Sequence, residues 1–592
     1  MEVTRTFDIL DKCRAEFQKD DILACKQDGE WKKVSTEQYI EEVNNFSYGL
    51  LSLGLKKGDK IATVSNNRPE WNFVDMGMTQ CGVVHIPVYP TISDEEYEHI
   101  LKHSGARLLI VSDAELYGRL KVFVDKIDSL EEIYSFNRVD NAKHWSEISD
   151  TGKQNAEKYS EEIQNIKAGI KPDDMMSIIY TSGTTGIPKG VMLSHSNFVS
   201  NTKAAAKDDI LPLGPEHRAL SFLPLCHVYE RMVNYGYQYL GLSVYYAESM
   251  DTIGDNLKEV QPHCFVTVPR LLEKVYDKII NKGKDLSFIK RALFFWAVNL
   301  GLRYKYNRGN GGWYEFQLKY ANKLIFSKWR EALGGNVKTI ISGGAALQPR
   351  LARVFQAAGI RVQEGYGLTE TSPVIAVNRV AYPDTRFGTV GPLIEGVEVK
   401  IAEDGEILCR GPNIMLGYYK DAEKTKEVID EDGWFHTGDI GIMEDNKFLK
   451  ITDRKKEIFK TSGGKYVAPQ VIENLLKESL FIEQIMIVGE NRKFVSALIS
   501  PNFEFLHDYC ALKGIKYENH QSLIEKQVIT DRYQREIEEF NEKLGQVEKI
   551  KRFMLVPEQW TPQTKELSPT LKLKRKYLNE KYKDLIEKMY SE

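Results

Sequence analysis

The stretch Tyr180-Thr-Ser-Gly-Thr-Thr-Gly-Ile-Pro-Lys-Gly190 constrains this chain more than any other. It packs three glycines, four aliphatic hydroxyls and a lysine into eleven positions, directly after an apolar run at 175–180. Such a loop can offer backbone N–H groups, hydroxyls and one cation to a polyphosphate. It is not a G-x-x-x-x-G-K-S/T loop: Lys189 is followed by Gly190, and Pro188 biases Ile187 toward extended backbone. The apolar run 191–193 comes next, so the pattern predicts strand–loop–strand rather than strand–loop–helix. A plain Gly/Ser/Thr hairpin turn is the ordinary reading of the same residues.

Around this loop the chain alternates short apolar runs, such as 60–64 and 108–111, with helix-like segments such as 94–103, which predicts a layered α/β architecture. Residues 140–172 are polar and carry Gly152, Gly169 and Pro172, which reads as a surface loop. After Asp453 the texture becomes a shorter α+β pattern, with a helix near 470–478 and strands at 485–488 and 494–499. The boundary is expected at 452–454, dividing 1–452 from 453–592. The 592 residues are too many for one simple core, at about 100–200 residues per domain.

A net charge of −4 gives no global reason to expect a nucleic-acid partner. Locally, however, residues 278–330 hold twelve Lys/Arg against two acids, Asp285 and Glu315, interleaved with twelve aromatics. The seven cysteines lack metal-ligand spacing and read as thiols of a reducing compartment, hence a cytoplasmic protein. The first ten residues show no signal-peptide core. The longest apolar stretch, 292–302, is broken by Asn299 and falls short of the roughly 20 residues a membrane span needs.

The segment 180–190 resembles, at every position, the signature phosphate loop of the adenylate-forming enzymes, and further motifs follow in that family's order up to the C-terminal region. Glu364-Gly-Tyr-Gly-Leu-Thr-Glu-Thr371 is similar to the adenine and metal motif. Ser342-Gly-Gly-Ala-Ala-Leu347 resembles the backbone wall beside it, Thr437-Gly-Asp439 the ribose motif, and Pro569-Thr-Leu-Lys572 the C-terminal lysine motif, with Leu571 where a glycine is common.

The resemblance implies a large N-terminal α/β domain of layered sheets and helices, plus a small mobile α+β C-terminal domain. It also implies ATP and Mg²⁺ as cofactors. Thr181, Ser182, Gly183, Thr184, Thr185, Gly186 and Lys189 would hold phosphates; Gly343, Gly344, Ala345, Tyr366 and Gly367 would hold adenine; Asp439 and Arg454 would take the ribose. Thr369 would contact phosphate, Glu370 with Thr184 would bind Mg²⁺, and Lys572 would be the catalytic cation. Asp453 would be the hinge for a rotation that brings 461–465 to the site.

Leu223-Pro-Leu-Cys-His-Val-Tyr-Glu-Arg231 and the insertion of about 278–335, including Ala332-Leu-Gly-Gly335, resemble long-chain acyl-CoA synthetases. That implies an AMP-forming acid–thiol ligase joining a long-chain fatty acid to coenzyme A, with His227 and Tyr229 near the acyl carboxylate. Three alternatives stay open. They are transfer to acyl carrier protein, a medium-chain or aryl acid, and a non-catalytic nucleotide-binding regulator, although Lys189, Glu370, Asp439, Arg454 and Lys572 are all present. The 278–330 patch would either touch a membrane surface or be a packed helical pair with a solvated basic face.

Overall fold

The apolar runs of the N-terminal half become parallel strands buried on both faces, which is why they read as continuous rather than alternating. Lys60–Val64 pairs in parallel with Val84–Val88 and with Leu108–Val111, whose four residues are all buried. The helix between the last two strands, Asp94–Ser104, starts at a capping box of Ser93 with Glu96 and ends at Gly105 in the left-handed region. The computed structural model describes residues 2–182, 187–561, 563–568 and 572–591.

Among the described residues, two eight-stranded sheets build the N-terminal domain. One holds Lys60–Val64 and its neighbours, and near its edge the antiparallel pair Met175–Ser182 and Pro188–Ser194. The other runs through the parallel strands Cys264–Thr267, Thr339–Ser342 and Val362–Gly367. The helix Val228–Tyr239 is tied to the first sheet by fully buried Arg231. Its guanidinium lies 2.6 Å from Asp75 and donates to Ser177 Oγ at 2.7 Å, while Asp75 also meets His85 at 2.6 Å. A buried arginine persists only when paired in this way, and the pairing fixes the helix whose N-terminal end carries His227 and Tyr229. A four-stranded antiparallel sheet follows, ending in Phe435–Glu444 and Phe448–Arg454.

Beyond it lies the α+β C-terminal domain. Ile482–Val488, Val495–Pro501 and Ile550–Leu555 form its sheet, and Ile472, Ile485, Leu506 and Tyr533 share a core separate from that of the N-terminal domain. The domains touch where Arg270 pairs with both Glu273, at 2.9 Å, and Glu483, and where Lys284 lies 4.2 Å from the centre of the Phe505 ring.

Residues 140–172 are not a loop: they form helices Ser146–Gln154 and Ala156–Gly169. Gly152 marks a close helix crossing instead of a turn, since a Cβ there would overlap the Asn45 carbonyl oxygen on helix Thr36–Ser52. Among the described residues no helix is long and apolar enough to cross a membrane.

Candidate active site

Because Cys264–Thr267, Thr339–Ser342 and Val362–Gly367 run parallel, their C-terminal ends open onto one crevice, where open α/β sheets bind ligands. Gly343, Gly344 and Ala345 leave the second of these strands. Gly344 has φ +81°, and it and Ala345 are exposed along the crevice. A Cβ on Gly343 would come within 3.2 Å of the Tyr229 ring, whose hydroxyl donates to the Ile341 carbonyl at 3.0 Å. Tyr229 thus lies directly against this glycine wall. Glu364 braces the wall from below by accepting from the Leu347 amide at 2.9 Å, and burial pushes its carboxyl up to about 8.

Tyr366 follows on the third strand. A Cβ on neighbouring Gly367 would overlap the Pro373 carbonyl, so the returning chain demands glycine there. The Tyr366 hydroxyl donates to Asp439 Oδ2 at 2.6 Å, and Arg454 Nε lies 3.3 Å from Oδ1. Asp439 and Arg454 are register partners on Phe435–Glu444 and Phe448–Arg454, so strand pairing sets the ion pair. Burial raises the Asp439 pKa, opposed by Arg454 and by the Tyr366 hydroxyl.

Thr369, buried, and Glu370 form the turn after Tyr366. Tyr418 donates to Glu370 Oε1 at 2.9 Å, and the Glu370 carbonyl accepts from the Met415 amide at 2.9 Å. The Lys189 ammonium sits 5.4 Å from the centre of the same Tyr418 ring, and Lys189 pairs in register with Thr181. Tyr418 therefore links the lysine of the hairpin to the carboxylate of the opposite wall. Gly183, Thr184, Thr185 and Gly186 lie outside the described residues, and Ser182 belongs to the strand that leads to them.

Lys572 comes from the C-terminal domain into the same cleft. Solvent reaches its side chain, yet protein crowds around it. That crowding and the Arg454 cation push its pKa down to about 8 against the pull of Asp439, Glu457 and Glu370. Its charge is also felt at His227, which burial and Lys572 together lower to about 4. His227 is neutral at pH 7, and Nδ1 accepts from the Tyr229 amide as the cap of Val228–Tyr239. As a helix cap held neutral it can orient a substrate or donate a hydrogen bond, but it is no proton carrier near pH 7.

Asp453 is fully buried in the strand Phe448–Arg454. Its carboxylate accepts from the Arg454 amide at 2.6 Å and from the Gln470 amide at 3.1 Å, in the first turn of Pro469–Leu476. Burial pushes its pKa up to about 6. Two participants escaped sequence reasoning. Tyr418 carries no motif signal. Arg575, three positions after Lys572, donates to Glu457 at 2.9 Å and Glu473 at 2.6 Å, anchoring the segment that bears the lysine.

The donor set suits the groups expected here. The hard carboxylate of Glu370, oriented by Tyr418, matches the one or two carboxylates with which proteins hold Mg²⁺ beside substrate phosphates. The flat Tyr366 ring beside a side-chain-free wall, with an acid at its hydroxyl, matches a nucleoside.

A family described as AMP-binding enzyme matches residues 12–419, and its C-terminal domain matches 456–592. A long-chain-fatty-acid–CoA ligase of Mycobacterium bovis is 32% identical over 587 residues, covering 95% of this chain and 93% of that protein. Fatty acyl-CoA synthetase A of Dictyostelium discoideum is 32% identical over 632 residues, covering 99% and 91%. Among solved structures, the A domain of carboxylic acid reductase from Segniliparus rugosus, in complex with AMP and a co-purified carboxylic acid, superposes with a TM-score of 0.74 at 20% identity, covering 99% of this chain and 94% of that one. That likeness speaks for the fold alone. With both family regions in order along the chain, and relatives matching nearly end to end, the protein belongs to the AMP-binding enzyme family, in its long-chain acyl-CoA synthetase branch.

Proposed function

We propose that the protein converts a long-chain fatty acid and ATP to acyl adenylate and pyrophosphate, then passes the acyl group to coenzyme A and releases AMP. The observation that carries this is the meeting of Tyr366, Asp439, Arg454, Glu370 and Lys572 in one cleft beside the glycine wall. The substrate class follows the relatives, whose names give long-chain fatty acid–CoA ligation.

A carboxylate is a poor electrophile and ATP reacts slowly, so the site must align the carboxylate oxygen with the α-phosphorus and offset the charge that develops. Tyr366 and the Gly343–Gly344 backbone hold adenine; Asp439 accepts from the ribose hydroxyls, with the Arg454 cation opposing the rise that burial gives its pKa. Lys189, Thr181 and Thr369 take phosphate oxygens, and Lys572 places its cation where the α-phosphate meets the acid. Tyr229, and His227 as a neutral donor, border the acyl carboxylate. Glu370 would hold Mg²⁺, which when bound neutralises phosphate charge.

For the second step the C-terminal domain turns about Asp453, withdrawing Lys572 and presenting the turn at 461–465, whose Gly463 and Gly464 are exposed. Mass spectrometry of products from a fatty acid series, with coenzyme A or acyl carrier protein as acceptor, tests the assignment. Long-chain acyl-CoA is expected, and acyl carrier protein accepted in preference, or an aryl acid preferred, overturns it.

The insertion supports a second element of the reading, contact with a membrane surface. Trp313, Phe316, Tyr320 and Leu324 are 72%, 51%, 48% and 52% exposed at spacings of three and four, one helical face. Helix Phe288–Leu302 packs antiparallel beside them: the Tyr314 hydroxyl meets the Leu300 carbonyl and Trp296 meets Gln317. That register brings exposed Ile289 and Leu293 toward Leu324 and Tyr320, with Lys290, Arg291, Lys319 and Lys323 exposed around them. Apolar rings ringed by cations suit an anionic bilayer surface, where fatty acids gather. In liposome flotation at low salt the protein is expected to float with anionic vesicles, and Trp313→Ala with Phe316→Ala to abolish this; no flotation of the wild type refutes it.

A further inference from the structure

Side chains alternate along a strand, so the hairpin Met175–Ser182/Pro188–Ser194 has two faces. Thr181 and Lys189 are register partners on the face that looks toward Tyr418. Tyr180 and Gly190 are partners on the opposite face, where Tyr180 packs with Tyr97 and Ile100 of helix Asp94–Ser104. None of the motifs that built the site lies on this helix.

Two histidines one turn apart on the helix stand against that rear face. The His99 and His103 rings stack, with centroids 5.3 Å apart and planes at 15°. His99 Nε2 lies 3.2 Å from the Pro188 carbonyl oxygen, and since a carbonyl only accepts, Nε2 carries the proton and donates. His103 Nδ1 lies 2.9 Å from the Tyr180 hydroxyl. Burial, with His99 and the Lys420 cation beside it, lowers the His103 pKa, and the Tyr180 hydroxyl, which can donate or accept, bonds Nδ1 in either neutral tautomer. The cluster is closed by Lys420, which donates to the His103 carbonyl at 2.8 Å, and by the Tyr419 ring set edge-on to His103 at 5.6 Å. One histidine thus holds each strand of the hairpin: His103 the strand entering the loop and His99 the strand leaving it.

We propose that His99 and His103 are positioning residues for ATP, which pin the two strands from behind and so set where Thr181 and Lys189 stand. Neither touches substrate. The inference rests on the reading of this hairpin as the phosphate-binding element.

The test is steady-state kinetics on the full chain for His99→Ala, His99→Gln, Tyr180→Phe and Lys189→Ala. Thioesterification of supplied acyl-AMP and the thermal midpoint are followed alongside. Losing one such hydrogen bond in His99→Ala or Tyr180→Phe is expected to raise KM for ATP about five- to tenfold, with KM for fatty acid and the acyl-AMP rate within about twofold of wild type. Gln keeps an amide donor at the reach of Nε2, so His99→Gln should recover most of the loss. Tyr180→Phe removes a single oxygen and keeps the test alive if His99→Ala does not fold. An unchanged KM for ATP in both variants overturns the inference, as does a His99→Gln no better than His99→Ala. A fall of every kinetic parameter together with the thermal midpoint also overturns it, because that marks a purely structural pair. Lys189→Ala separates the two layers: if it too leaves KM for ATP unchanged, the hairpin reading fails; if it raises KM while the histidine variants do not, only the present inference fails.

Discussion

On the proposed mechanism Lys572 serves adenylation as a cation, and its surroundings place that charge within reach of ordinary pH. Crowding and Arg454 bring its pKa from the usual 10.5 to about 8, so the proton is held below that pH and lost as pH rises through it. The kcat/KM for ATP in pyrophosphate release is therefore expected to fall above about pH 8, tenfold per unit once the group is deprotonated. Thioesterification of supplied acyl-AMP should lack this limb, since the proposed mechanism gives the lysine no part in it. A limb that persists unchanged in Lys572→Ala assigns it to another group. The residues gathered near this lysine were named from motifs that resemble the adenylate-forming enzymes, since Gly-Tyr-Gly or Thr-Gly-Asp alone is an ordinary turn sequence. What spacing could not give was cross-strand partnership: that Tyr366 reaches Asp439, or that Tyr418 stands between Lys189 and Glu370, depends on register.

Elements followed their patterns where one periodicity dominated. The runs 60–64 and 108–111, the helix after Ser93 and the two strands Met175–Ser182 and Pro188–Ser194 all formed as the sequence leads one to expect. The pattern misled at 140–172, where polar composition and Gly152 suggested a loop. Helices Ser146–Gln154 and Ala156–Gly169 bury a narrow stripe, Ile148, Ser149, Gly152, Tyr159 and Ile163, and the glycine permits close approach of two backbones. A glycine required by packing and one required by a turn look identical in sequence. Gly152→Ala is accordingly expected to destabilise the protein by about 1–3 kcal/mol, as overpacking does, read as a lower urea midpoint. A midpoint equal to wild type would mean that the two helices separate at no cost.

At the scale of the whole molecule the proposed site draws its residues from two domains. Tyr366, Glu370 and the glycine wall belong to the N-terminal domain, whereas Lys572 is held by Arg575 against Glu457 and Glu473 of the C-terminal segment. Asp453, which caps Pro469–Leu476 from the last strand before that segment, couples the two through a single buried carboxylate. Contacts such as Arg270 with Glu483 favour the orientation in which the lysine faces the cleft. The change of texture after residue 453 suggests a second domain but does not fix this orientation, since it depends on contacts more than two hundred positions apart in sequence. The division of labour between the domains is tested most directly by measuring both half-reactions in Lys572→Ala. Pyrophosphate release should drop on the order of 10²–10³-fold, the usual loss for one group stabilising a transition state, while acyl transfer from supplied acyl-AMP to coenzyme A stays within about threefold of wild type. Equal loss of both half-reactions, or retention of both, contradicts the account.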